Sequence, residues 1–255
     1  MMLKKILLDG LIQCWMQLST WTSLKEGQLS ILRHQHKELG QKYLVKLRFK
    51  RYFRKTSLKQ RGDGDFLLTE IQNLSPKTVL EIGVFHGVTA RNICELLYKI
   101  HGDDFKYIGL DLFEENYQNS SEVIPVNDFS NPIKNFYFKF IKRQNPYSIE
   151  AVEDLLKKFK KNIDLIKGNS NKILKNIDMS KIDFVFLDGG HKYETVKNDL
   201  ECCLKVIRSN GVIICDDYNF GHLPDVRNAI DEFVNQNNLK CSILCNGRFA
   251  KIEDN

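Results

Sequence analysis

Five short apolar runs in this sequence end in residues suited to holding a ligand. The first, TVLEI at 78–82, leads into Gly83-Val84-Phe85-His86-Gly87 and then a helical stretch, with Glu81 just before the turn. Glycine at a strand end permits a tight turn and a close backbone approach to a ligand. The helix N-terminus that follows offers unpaired N–H groups, a layout suited to a nucleotide or a carboxylate. A dinucleotide fingerprint would need G-x-G-x-x-G. Phe85 and Val88 stand at its second and third glycine positions, and a phenyl ring there would obstruct a pyrophosphate.

The second run ends in Asp111, an acceptor for ribose hydroxyls or a simple cap. The third ends in Gly168-Asn169-Ser170, and Asn and Ser also start helices well. The fourth gives Asp188-Gly189-Gly190-His191 and the fifth Asp216-Asp217. Three carboxylates at neighbouring strand ends repel one another unless a positive charge lies between them. Oxygen ligands of this type suit Mg2+ or another hard cation. In the alternative reading, Asp188 touches only cofactor or substrate while Asp216 and Asp217 cap turns. His191 is the natural general base, and Asp188 is the other candidate. The plainer reading of His191 is a structural histidine.

These residues need a sheet to align them. Runs at 78–82, 107–112, 163–168, 183–188, 211–217, 239–245 and 248–253 read as buried strands. Amphipathic stretches at 87–100, 148–161, 170–178, 192–208 and 224–237 read as helices. Within 192–208, Val196, Leu200, Leu204 and Ile207 recur at helical spacing, which makes one buried face. The alternation predicts an α/β fold with a seven-stranded, mostly parallel sheet and helices on both faces. Asn246-Gly247 predicts a closing antiparallel hairpin. The long stretch 113–147 interrupts the pattern and is expected to form a lid.

Charge divides the chain. Residues 1–62 carry 14 Lys and Arg against 3 Asp and Glu, whereas the remainder carries 24 against 29. Residues 1–62 are therefore expected to form a basic helical N-terminal extension ahead of a domain at 63–255, with Arg61-Gly62-Asp63-Gly64 as the boundary. Its stripe of Tyr43, Leu44, Leu47, Tyr52 and Phe53 suits packing on the domain or on a second subunit, giving a homodimer. Clustered Lys and Arg also suit a peripheral contact with an anionic membrane. No specific nucleic-acid motif is present.

The composition, 42% hydrophobic and 27% charged, is that of an ordinary globular protein. Seven cysteines, an odd number without a Cys-x-x-Cys pair, read as reduced and imply a cytoplasmic setting. No apolar stretch is long enough to span a bilayer. Asp9 interrupts a start that otherwise resembles a signal peptide.

Glu81-x-Gly83-x-x-x-Gly87 resembles the first motif of class I S-adenosylmethionine-dependent methyltransferases. DGGHKYETVKNDL and GVIICDDY resemble the "methyltransferase 24" group and the macrocin/mycinamicin-type sugar O-methyltransferases. The resemblance covers roughly residues 76–253 and implies a Rossmann-like fold. It implies cofactor contacts from Glu81, Gly83, Gly87, Asp111, Asn169, Ser170 and Asp188, and a metal held by Asp188, Asp216 and Asp217. The implied reaction is metal-assisted O-methylation of a sugar, glycan or small-molecule hydroxyl, for which the residues themselves offer His191 and Asp188 as the catalytic candidates. A phenol or catechol acceptor, a polyamine synthase and a non-catalytic nucleotide-binding scaffold are the alternatives. His191 departs from the macrocin-type pattern, and the N-terminal extension and the 113–147 insert match no part of it.

Overall fold

Val, Ile, Leu and Phe fill the strand runs on both faces, as a sheet covered on both sides requires. The computed structural model describes residues 47–58, 60, 62–113, 131–219, 221 and 224–255. The runs form β1 (Thr78–Ile82), β2 (Lys106–Asp111), β3 (Ile163–Lys167), β4 (Phe184–Leu187), β5 (Val212–Cys215), β6 (Lys240–Leu244) and β7 (Phe249–Glu253). Their order is β3-β2-β1-β4-β5-β7-β6. Strands β1 to β5 pair in parallel, and β7 runs antiparallel between β5 and β6. This is the expected Rossmann-like sheet, with the closing hairpin in place. Strand order reverses between β1 and β4, and open α/β sheets hold ligands in the crevice beyond such a point.

The helices are α1 (Asp63–Leu74), α2 (Val88–His101), α3 (Pro132–Phe136), α4 (Ile149–Leu156), α5 (Ser170–Ile173), α6 (Tyr193–Arg208) and α7 (Pro224–Asn237). α6 buries Val196, Leu200, Cys203, Val206 and Ile207 against Val226, Ala229, Ile230 and Phe233 of α7. α4 and α5 are shorter than expected, because each tightens into a 3-10 turn, at Lys157–Phe159 and Leu174–Asn176. α3 continues as a π-helical turn, Tyr137–Lys142, so part of the insert is regular. The remainder of the expected lid, 114–130, lies outside the described residues.

α1 was not anticipated from the sequence. Gly62 stands at its N-cap, and Asp63 and Asp65 occupy its first turn, where the helix dipole favours negative charge. The expected helical extension is corrected at its described end, while its first 46 residues lie outside the description. Residues 47–58 hold no helix. Tyr52 and Phe53 take positive φ values of 48° and 61°, which break any helical run. The segment binds along the domain instead. Lys50 N–H donates to Asn92 Oδ1 (2.9 Å), and Asn92 Nδ2 donates back to Lys50 O (2.8 Å). The buried Arg54 donates to the carbonyls of His86, Pro146 and Ala151.

The described cysteines are all free; Cys14 lies outside them. No helix among the described residues is long and apolar enough to cross a membrane.

Candidate active site

On the β1–β2 side, the turn after β1 is fixed by its neighbours. Gly83 has φ 94°, and a Cβ there would overlap the Asp188 carbonyl. Glycine is thus required by the close approach of the β1 and β4 ends. Gly87 has φ 72° and caps α2 without a side-chain hydrogen bond; a Cβ there would come within 2.8 Å of Val152 Cγ1. Asp111 closes the turn from β2. Its Oδ2 accepts from Phe85 N–H (2.7 Å), and its Oδ1 accepts from the Tyr147 hydroxyl (2.6 Å) and, more weakly, from Phe113 N–H (3.3 Å). Glu81 is 1% exposed and accepts from the Tyr107 hydroxyl (2.5 Å). Burial above all, and then the Asp111 charge, raise its pKa to about 8 despite that bond. His86 is fully buried, and its pKa is pushed down to about 3 by burial and by Arg54, Lys55 and Lys134. Its imidazole is therefore neutral. Asn169 caps α5 by accepting from Asn171 N–H (2.9 Å), and Ser170 is the first helical residue.

The β4–β5 side brings the other carboxylates together. Asp188, Asp216 and Asp217 each offer an oxygen within 4.8 Å of the others. The positive charge demanded by such a cluster is Arg248, which the sequence reading did not identify. Its Nε and Nη2 bind the two oxygens of Asp216 at 2.7 Å each, the bidentate geometry of strong guanidinium–carboxylate pairs. Nη1 binds Asp63 Oδ2 (3.0 Å) at the start of α1, and Nη2 lies 4.0 Å from Asp217 Oδ1. Burial works against the Arg248 charge, but the Asp216 bonds and the surrounding carboxylates more than offset it and raise its pKa. Burial lifts the Asp216 pKa to about 6; Arg248 pulls it down and Asp217 pushes it up. Asp188 is raised as well, by burial first and then by Asp216, although Ser57 Oγ donates to its Oδ2 (2.6 Å). His191 Nε2 lies 3.2 Å from Asp217 Oδ2.

Comparison with known proteins decides the family. Residues 80–218, more than half of the chain, match the model of the methyltransferase-domain family designated Methyltransf_24. The chain belongs to this family. Solved structures of similar fold include the O-methyltransferase NovP (16% identity, TM-score 0.53, covering 74% of this chain and 79% of that one). The O-methyltransferase TomG of Streptomyces achromogenes, in complex with S-adenosylmethionine, is another (14%, TM-score 0.51, 93% and 94%). The S-adenosylhomocysteine-bound methyltransferase PaMTH1 of Podospora anserina is a third (15%, TM-score 0.51, 92% and 99%). A curated relative, uncharacterized protein R132 of Acanthamoeba polyphaga mimivirus, is 37% identical over 54 residues, which are 21% of this chain and 24% of that protein.

This chain is thus an S-adenosylmethionine-dependent methyltransferase by family, and its glycine turn and Asp111 stand at the sheet's reversal point. Residues that the sequence pattern did not point to also contact the site. Ser57 and Asp63 flank the chosen boundary at residue 62, and Tyr147 ends the insert. Arg248 carried one legible signal: it follows Asn246-Gly247, so the hairpin must return it towards the end of β5. The turn is not the tight two-residue form. Leu244 pairs with Phe249, which leaves a four-residue loop that docks on the segment after β5 through Asn219 N–H to Gly247 O (3.0 Å).

Proposed function

We propose that this methyltransferase transfers the methyl group of S-adenosylmethionine to a hydroxyl oxygen of a sugar, glycan or other small molecule, assisted by a divalent cation. The observation that carries the reading is the convergence of Asp188, Asp216 and Asp217 beside the His191–Asp217 pair. The likeness in fold to NovP and TomG, both O-methyltransferases, supports oxygen as the acceptor atom. The likeness of the three aspartates to the macrocin-type ligand positions supports a sugar.

The donor set fits a hard cation, being oxygen alone and closely grouped. Arg248 already binds both oxygens of Asp216, so Asp188 and Asp217 would be the main ligands and Asp216 would share its carboxylate. When bound, Mg2+ would lower the pKa of the acceptor hydroxyl. The chain's own residues do the rest. Asp111 and the N–H groups at the start of α2 suit the ribose and the carboxylate of the cofactor. Alignment of the acceptor oxygen with the methyl group supplies much of the rate. As the O–C bond forms and the C–S bond breaks, the hydroxyl proton passes to His191. Asp217, 3.2 Å from its Nε2, would orient the ring and stabilise the imidazolium that forms.

Arg248 favours a second reading, in which the cluster has its counter-charge already and His191 acts without a metal. Calorimetric titration of S-adenosylhomocysteine, with Mg2+ and with EDTA, tests the cofactor site; turnover under the same conditions separates the two readings. Binding is expected, and Asp111→Ala should weaken it by about 1.5–3 kcal/mol. Failure of the folded parent protein to bind would overturn the proposal, and turnover indifferent to EDTA would select the metal-free form.

A further inference from the structure

Large apolar side chains are exposed mainly in one place among the described residues. Ile133, Phe136, Phe140 and Ile141 are 69%, 56%, 57% and 63% exposed, more than any other large apolar residue described. All four lie on α3 and its π-helical continuation. Their spacing is i, i+3, i+7 and i+8, that of a single helical face, and the Phe136 and Phe140 rings lie 5.1 Å apart. A surface helix ordinarily turns such a face to the core. Here a different face is held: Phe138 is buried with the Arg54 guanidinium 5.3 Å above its ring, and Tyr137 packs edge-on against Phe53 at 5.6 Å. The apolar stripe is thereby fixed outward, and exposed apolar clusters of this kind mark interaction sites.

The charge around the stripe says what it fits. Residues 131–149 contain no Asp or Glu. Asp154 occupies Lys142, but Lys139 and Arg143 are exposed. Lys134 Nζ lies 5.0 Å above the Phe53 ring. Burial and then the Arg51 charge lower the Lys134 pKa, so two cations sit near one another on this face. Residues 1–62 carry the same sign, and in a two-fold dimer this face would meet its own like charge. A polyanion without apolar groups would leave the stripe in water. We propose that this face docks on an anionic lipid bilayer, with Ile133, Phe136, Phe140 and Ile141 entering the interface and Lys139 and Arg143 meeting the head groups.

Sedimentation of the full-length protein with phosphatidylcholine vesicles, with and without phosphatidylserine, tests this. Binding is expected only with phosphatidylserine and should weaken as salt rises. Replacing Ile133, Phe136, Phe140 and Ile141 together by Ser should reduce the partition about tenfold or more, with an unchanged urea-unfolding midpoint. If that variant does not fold, Phe140→Ser alone should give a smaller loss of the same sign. No binding by the parent protein, or equal binding by the variants, overturns the proposal. So does a parent dimer in light scattering that the substitutions convert to monomer, since the face would then join two copies.

Discussion

The two sides of the crevice hold their carboxylates by different means. On the β1–β2 side, Asp111 is bound by neutral donors, the Phe85 and Phe113 N–H groups and the Tyr147 hydroxyl. Its negative charge is oriented but not cancelled. On the β4–β5 side, Asp216 is locked to a cation, Arg248, which Asp63 and the Ser57 carbonyl brace from elsewhere in the chain. Neutral donors fix an acceptor and leave its charge for a ligand, whereas a guanidinium takes one carboxylate largely out of play and lets its neighbours remain close. The first arrangement suits binding a constant cofactor. The second suits the proposed proton-transfer site, where Asp188 and Asp217 lie close together without the two-point grip that holds Asp216.

The sharpest way to separate the sides is His191→Ala. Loss of a general base lowers turnover by about 10²–10⁴-fold, and affinity for S-adenosylhomocysteine should not change, because His191 belongs to the β4–β5 side. Unchanged turnover across pH would remove His191 from the base role, and a large loss of cofactor affinity would erase the division. Arg248→Met comes next. It leaves Asp216, 3% exposed, without its counter-charge, and breaking a buried ion pair costs about 3–5 kcal/mol. Urea denaturation measures the loss. Arg248→Lys should recover only part of it, because a lysine cannot reproduce the fork that spans both oxygens. A loss below about 1 kcal/mol, the range of exposed pairs, would mean that Arg248 does not hold the cluster together.

The same contrast explains what the sequence could reveal. The β1–β2 side was legible because Gly83, Gly87 and Asp111 follow directly from strand ends, and strand runs are visible as apolar stretches. All seven strands came from that pattern, whereas the reversal of strand order between β1 and β4 is visible only in the folded sheet. The aspartates of the β4–β5 side were legible for the same reason, and so was their need for a positive charge. The source of that charge was not, because Asp63 and Arg248 are 185 residues apart and Ser57 and Asp188 are 131 apart. No local periodicity encodes such contacts. The basic composition of residues 1–62 suggested a helical extension, yet Arg54 from that stretch is buried on backbone carbonyls. Charge counts describe how many cations a segment holds and are silent about which of them turns inward.

A subtler test concerns the buried Glu81 beneath the β1–β2 side. Burial foremost raises its pKa to about 8 in the folded protein, against roughly 4.3 in an unfolded chain. Between those values the native state keeps a proton that the unfolded state has released. Stability therefore falls as pH rises through that window, by at most about 1.4 kcal/mol per pH unit. Asp216 acts in the same direction up to about pH 6, and burial makes Asp188 act likewise, so the Glu81 share is read from the difference between the parent and Glu81→Gln. Glu81→Gln keeps the shape and an acceptor for the Tyr107 hydroxyl but cannot ionise. The variant should match the parent near pH 5 and exceed its thermal midpoint at pH 8, with cofactor affinity retained. Parallel midpoint curves from pH 6 to 8 would show that Glu81 does not carry the proton. A loss of affinity without a change in slope would instead make Glu81 a direct ligand of the cofactor, and the β1–β2 side would then hold a second working carboxylate.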